Sequence, residues 1–169
     1  MNQEIVNKDS LNEFEKPALP TSLNVLTILT IIGCVIGLIS SVYGFMTSKK
    51  TYENMKETIE GGKMDDAPSW AKGMMSPEML GMYQKMHENR FPILILTLVA
   101  TALCLWGAIE MRKLKKQGYT FWLIGELLPF GTTVLFIGMT AFSGFGLLAA
   151  LIPVVFIILY TVNRKHLVN

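Results

Sequence analysis

The chain has 169 residues, of which 51% are hydrophobic and only 17% charged, with a formal net charge of +2 and a mean hydropathy of +0.40. Soluble domains carry about a quarter of their residues as charges, and here the few charges are also unevenly spread. None falls in the 32 residues between Lys16 and Lys49 or in the 19 between Arg90 and Glu110, and Glu126 is the sole acid or base in the 47 between Lys116 and Arg164. Uncharged apolar runs of about 20 residues are what a helix needs to cross roughly 30 Å of hydrocarbon. A soluble enzyme and a disordered chain are excluded. The pattern predicts an all-α membrane protein: four transmembrane helices, with one extracytoplasmic helical loop between the first and second.

Residues 1–20 form a polar N-terminal segment, with Ser10 and Glu13 spaced as a capping box and Pro17 and Pro20 ending any short helix there. The segment is acidic and the apolar run behind it is too long for a secretory signal, so the first span is expected to be retained. The transmembrane domain then covers 21–169, with spans at about 21–47, 91–111, 119–140 and 144–162. Phe91-Pro92 opens the second span, with proline in the first turn where its missing N–H costs nothing. Ser143, Gly144 and Gly146 divide the last long apolar stretch into two spans joined by almost no loop.

The loop 48–90 is the one extramembrane piece large enough to hold a shape. Tyr52 to Ile59 is read as an outward extension of the first helix, stopped at Gly61-Gly62. Ser76-Pro77-Glu78 is a helix start, with an N-cap serine, a proline at the first position and an acid in the first turn. Met75, Met79, Met82 and Met86 then recur on one helical face, and with Trp70 they make a candidate partner surface. Thioethers are soft ligands suited to Cu(I), so Met79, Met82, Met86 and the adjacent His87 raise copper handling as a distant alternative. An apolar face filled by adaptable methionines is the simpler expectation, and neither a metal nor another cofactor is expected.

Orientation follows the lysines and arginines. Arg112, Lys113, Lys115 and Lys116 crowd one short turn without an acid, whereas the seven basic residues of the first loop are matched by seven acids. Both termini are therefore expected on the cytoplasmic side, although Lys49 and Lys50 beside the first span argue the other way. The positive charge belongs to this membrane-side cluster, so the lipid bilayer and other membrane subunits are the expected partners and nucleic acid is not.

Within the spans, Glu126 stands out. An ionised acid in hydrocarbon costs several kcal/mol unless paired, watered or protonated. Its candidate neighbours by depth are Asn24, Thr27 and Thr30 of the first span, with Glu110, Arg112 and Lys113 near the facing end of the second. Gly33, Gly37 and Ser41 at four-residue steps, and Gly44 behind Ser40, form a small-residue stripe that permits close helix packing in lipid. Cys34 and Cys104 lie about 13 and 8 residues from the cytoplasmic edge, so a disulfide is not expected and packing is their reading. There is no HExxH, no phosphate-binding glycine loop and no recognisable nucleophilic triad.

The run from Met111-Arg112-Lys113-Leu114-Lys115-Lys116 to Gln117-Gly118-Tyr119, followed by Trp122, resembles small uncharacterised four-helix membrane proteins of bacteria. That resemblance implies a fold type and no activity, and the expected location is a bacterial inner membrane. The sequence reading is a non-enzymatic, multi-pass accessory or scaffold subunit that contacts partners through its outer loop. The alternative is a small transporter or ion- or proton-coupled component centred on Glu126.

Overall fold

The computed structural model describes residues 18–61, 76–142 and 145–168. In chain order these form α1 (Thr21–Glu60), α2 (Pro77–Glu88), α3 (Arg90–Arg112), α4 (Lys116–Phe136) and α5 (Phe145–Asn163), with 3₁₀ turns at Met139–Phe142 and Arg164–His166. Among the described residues no strand forms, and α1, α3, α4 and α5 are each long and apolar enough to cross a membrane. Ser10, Glu13, Pro17, Trp70 and Met75 lie outside the described residues.

At 1.5 Å per residue the 40 residues of α1 reach about 60 Å, twice the hydrocarbon thickness. The apolar run ends near Ser48, yet the helix continues as far as Glu60. Beyond Ser48 it carries Lys49–Glu53 and Lys56–Glu60 pairs at four-residue spacing, at 3.7 and 3.9 Å, and such pairs support an exposed helix. Gly61 closes it by returning its N–H to the Glu57 carbonyl.

α2 starts where the sequence signals a start. The Ser76 hydroxyl accepts from the Met79 N–H at 3.3 Å, with Pro77 in the first turn. The helix then lies back on the C-terminal half of α1. The His87 ring stacks on Tyr52 with centroids 6.1 Å apart, and its Nδ1 is 3.4 Å from the Ser48 hydroxyl. Lys85 Nζ donates to the Ile137 carbonyl at 3.4 Å, tying α2 to the C-cap of α4.

The tightest packing joins α3 to α4. Their connection is three residues, with Leu114 at φ +59°, and Glu110 holds it by ion pairs to Lys113 (2.9 Å) and Lys115 (2.6 Å). Glycines let the two backbones touch. A Cβ on Gly107 would stand 2.5 Å from the Trp122 nitrogen, and one on Gly125 would stand 2.7 Å from the Ala100 carbonyl oxygen. In lipid, where no hydrophobic drive separates helices from solvent, such close contact is what holds neighbours together. α4 itself ends at Phe136, four residues short of the expected span end. Gly138 at φ +105° turns the chain there, a conformation glycine adopts without penalty.

All four spans converge at one end of the bundle. Leu23 and Leu26 of α1, Met111 of α3, Trp122 of α4 and Tyr160 of α5 are buried there, with the Trp122 and Tyr160 rings 4.2 Å apart. The chain end returns to the same place: Val168 N–H donates to the Leu114 carbonyl at 2.9 Å, and Leu167 is buried. Away from this end α5 touches α4 at few points, and the helices border a partly open cleft.

Candidate functional site

That cleft has a volume of about 580 Å³ and is bounded by α1, α3, α4, α5 and the 3₁₀ turn before α5. Glu126 is its sole ionisable carboxylic acid, ten residues from the start of α4 and so about 15 Å along the helix. It sits one turn beyond Trp122, directly above the packed end. Threonines 30, 97, 101 and 133 add hydroxyls, and Cys34 and Cys104 add thiols. The remaining wall is apolar, including the stacked rings of Phe130 and Phe142, parallel to within 5° and 5.9 Å apart.

Two prolines shape the wall. Pro129 in α4 and Pro153 in α5 both line the cavity and both lie inside helices. Proline has no N–H, so the carbonyls four residues before, on Gly125 and Ala149, lose their helical donors. Both of those residues also line the cavity. Both helices nevertheless run on without interruption through their prolines. The site thus combines a carboxylate, two released carbonyls and a set of hydroxyls, an arrangement rich in acceptors and suited to a proton or a cation.

Of the expected neighbours of Glu126, Thr30 shares the cavity and hydrogen-bonds the Tyr160 hydroxyl at 2.8 Å. Thr27 does not share it: fully buried one turn lower, its hydroxyl receives Arg112 Nη1 at 3.3 Å and donates to the Asn24 carbonyl. Arg112 is engaged there, and Glu110 holds Lys113, Lys115 and Gln117 instead of approaching Glu126. The group that does reach Glu126 is Cys104, whose thiol donates to Oε2 at 3.8 Å.

Cys34 of α1 and Cys104 of α3 both border the cavity as free thiols, so they lie closer in depth than a count from Thr21 gives. The Arg112–Thr27 bond shows that Thr27 is level with the end of α3. Counted from those two residues, Cys34 lies 34 − 27 = 7 and Cys104 lies 112 − 104 = 8 positions in.

The small-residue stripe makes no close crossing among the described residues. Apart from the helix's own backbone, none of them lies within 4 Å of a Cβ built at Gly33, Gly37 or Gly44, and the Ser41 hydroxyl donates to the Leu38 carbonyl of its own helix. Gly33 and Gly37 border the cavity, and the close crossing is made by Gly107, Gly118 and Gly125 instead. Ala100, Cys104 and Gly107 on the second span, against Gly118 and Gly125 on the third, repeat at the same three- to four-residue or seven-residue steps. The signal was present in the sequence and lay outside the helix where it was sought.

On α2, Met79 and Met82 are half-buried and Met86 is exposed. His87 stands about 100° further round the helix than Met86 and is turned to Tyr52 of α1. Among the described residues no three His, Cys, Asp or Glu side chains come together as a metal-holding group. Comparison of the chain with models of protein families, with curated proteins and with solved structures found no match.

Proposed function

We propose that this chain is a small ion- or proton-coupled membrane component, a transporter or part of one, working through the cavity around Glu126. One observation carries the reading: the lone intramembrane acid lines a partly open cleft of about 580 Å³ that Pro129 and Pro153 also border, each proline leaving one helical carbonyl without its donor. A carboxyl kept only as a neutral hydrogen-bond donor needs a neighbouring acceptor and no cavity. Ionisable groups inside membrane bundles commonly mark ion or proton routes, and a helical carbonyl left without its donor by proline offers an oxygen to a cation.

In the proposed orientation the packed end and both termini face the cytoplasm of a bacterium, and α2 lies outside its inner membrane. The acid-free Arg112–Lys116 turn supports this. A second reading, an accessory subunit of a larger complex, draws support from α1. Its outward half leaves Gly33, Gly37 and Gly44 open, and Ile39 and Tyr43 are 67% and 68% exposed.

Protein reconstituted in liposomes with a pH-sensitive dye tests the first reading. Under an imposed membrane potential the wild type is expected to take up protons, and Glu126→Gln, inserted to the same level, is expected to take up none. Equal flux from both proteins would sink the reading.

A further inference from the structure

Glu126 lines the cleft with its charge unmatched. Among the described residues no lysine, arginine or histidine borders the cleft, and the salt bridges fall on Glu53, Glu60 and Glu110. Cys104 donates to Glu126 Oε2 at 3.8 Å, a weak bond that neutralises nothing. Thr97 and Thr101 turn their hydroxyl protons to carbonyls of their own helix, at 2.8 Å each. A carboxylate so placed in hydrocarbon is costly until a positive charge reaches it.

Around that single charge the walls are apolar and aromatic. The Phe130 and Phe142 rings are parallel to within 5°, with centroids 5.9 Å apart, and Ile152 and Phe156 continue the surface. Ring faces attract a cation, and the same surface buries an apolar body. A small metal ion makes poor use of such walls, because it needs several oxygens converging at about 2–2.6 Å. The volume of about 580 Å³ instead lies within the ~300–1,000 Å³ of small-molecule sites. An apolar neutral molecule would leave the carboxylate unmatched, and an anion would be repelled. α4 and α5 both line the cleft yet touch at few points, which leaves a way in from the hydrocarbon for a membrane-soluble molecule.

We propose that the cleft binds a lipophilic organic cation of single positive charge, its charge held by Glu126 and its apolar body by the phenylalanine rings. The proposal takes from the ion-coupled reading, on which it rests, the claim that Glu126 is the working group, and adds the class of substrate.

Equilibrium dialysis of the full-length protein in a non-ionic detergent tests it, with tetraphenylphosphonium as the probe. Tetraphenylborate, of the same shape and opposite charge, is the comparison. The wild type is expected to bind one phosphonium per chain saturably, and the borate only in proportion to the detergent. Glu126→Gln should weaken phosphonium binding about 30-fold or more, the lower end for removing one partner of a buried charge pair. Glu126→Asp keeps the charge and should weaken it less. Phe142→Ala should cost about fivefold, the loss of one cation–ring contact. A wild type without saturable phosphonium binding overturns the proposal, and this result needs no variant to fold. Borate bound as tightly as the phosphonium overturns it too, and so does wild-type affinity in Glu126→Gln. Proton flux that persists in a protein unable to bind the phosphonium leaves the ion-coupled reading standing. Phosphonium bound by a protein that moves no protons upholds the site and sinks that reading.

Discussion

A glycine's meaning in this chain depends on what faces it, and the two sets of glycines make opposite predictions. Gly107 is pressed onto the Trp122 backbone, where a Cβ would stand 2.5 Å from nitrogen and neither helix can yield. Gly107→Ala is expected to destabilise the α3–α4 pair by about 1–3 kcal/mol, the usual cost of overpacking. Gly33→Ala and Gly37→Ala face open space and are expected to raise helix stability by up to ~1 kcal/mol each. Thermal denaturation of the purified monomer in detergent, followed by size-exclusion chromatography, separates them. A stable Gly107→Ala protein, or an unstable Gly33→Ala one, would contradict the packing described. The sequence marks glycine steps on three helices equally well, and cannot say which are paired, since that depends on helix rotation. Glu126 is legible for the opposite reason: a single acid in a 47-residue apolar stretch needs no partner to be conspicuous. Cys104, its actual neighbour, is hidden, because relative depth on separate helices is set by tertiary contacts such as Arg112–Thr27.

Among the elements, α2 carries the clearest local code. Its serine cap, first-turn proline and apolar periodicity are all readable in order, and the helix begins at Pro77 as they require. What local code omits is the surface it lies on. The extension of α1 to Glu60 supplies that surface, through Tyr52 and Ser48 against His87. Replacing His87 by Ala is expected to loosen α2 from α1 and raise amide hydrogen exchange across Pro77–Glu88, leaving α3 and α4 unchanged. Unaltered exchange in α2 would show that His87 does not hold it. Met79 and Met82 give a second test. Aspartate at both positions buries charge where half-buried methionines now lie, and should release α2 without affecting membrane insertion. Leucine at both keeps the apolar area and should be tolerated. If leucine is as damaging as aspartate, the thioether itself matters and soft-metal chemistry gains over packing.

Across the whole molecule, the four spans meet at one end in an aromatic and aliphatic core and part toward the other, so the cavity follows from the distribution of side-chain size. Trp122 and Tyr160 fill the closed end, while glycines, alanines and threonines, with the Phe130, Phe142 and Phe156 rings, border the space beyond. Four helices are legible from hydropathy alone, and the cleft is not, because nothing local shows that α5 stands away from α4. The proposed orientation is checked in a cysteine-free background, with Glu57→Cys expected to label from outside the cell and Gln117→Cys only after lysis; the reverse pattern would invert it. The central claim is that Glu126 exchanges its proton with the cavity, and infrared difference spectroscopy of the reconstituted protein addresses it directly. The carboxylic C=O stretch that disappears in Glu126→Gln should grow and fade reversibly as the pH is stepped down and up. A band of constant intensity through every step would mean a carboxyl that only holds helices together, and would contradict the account.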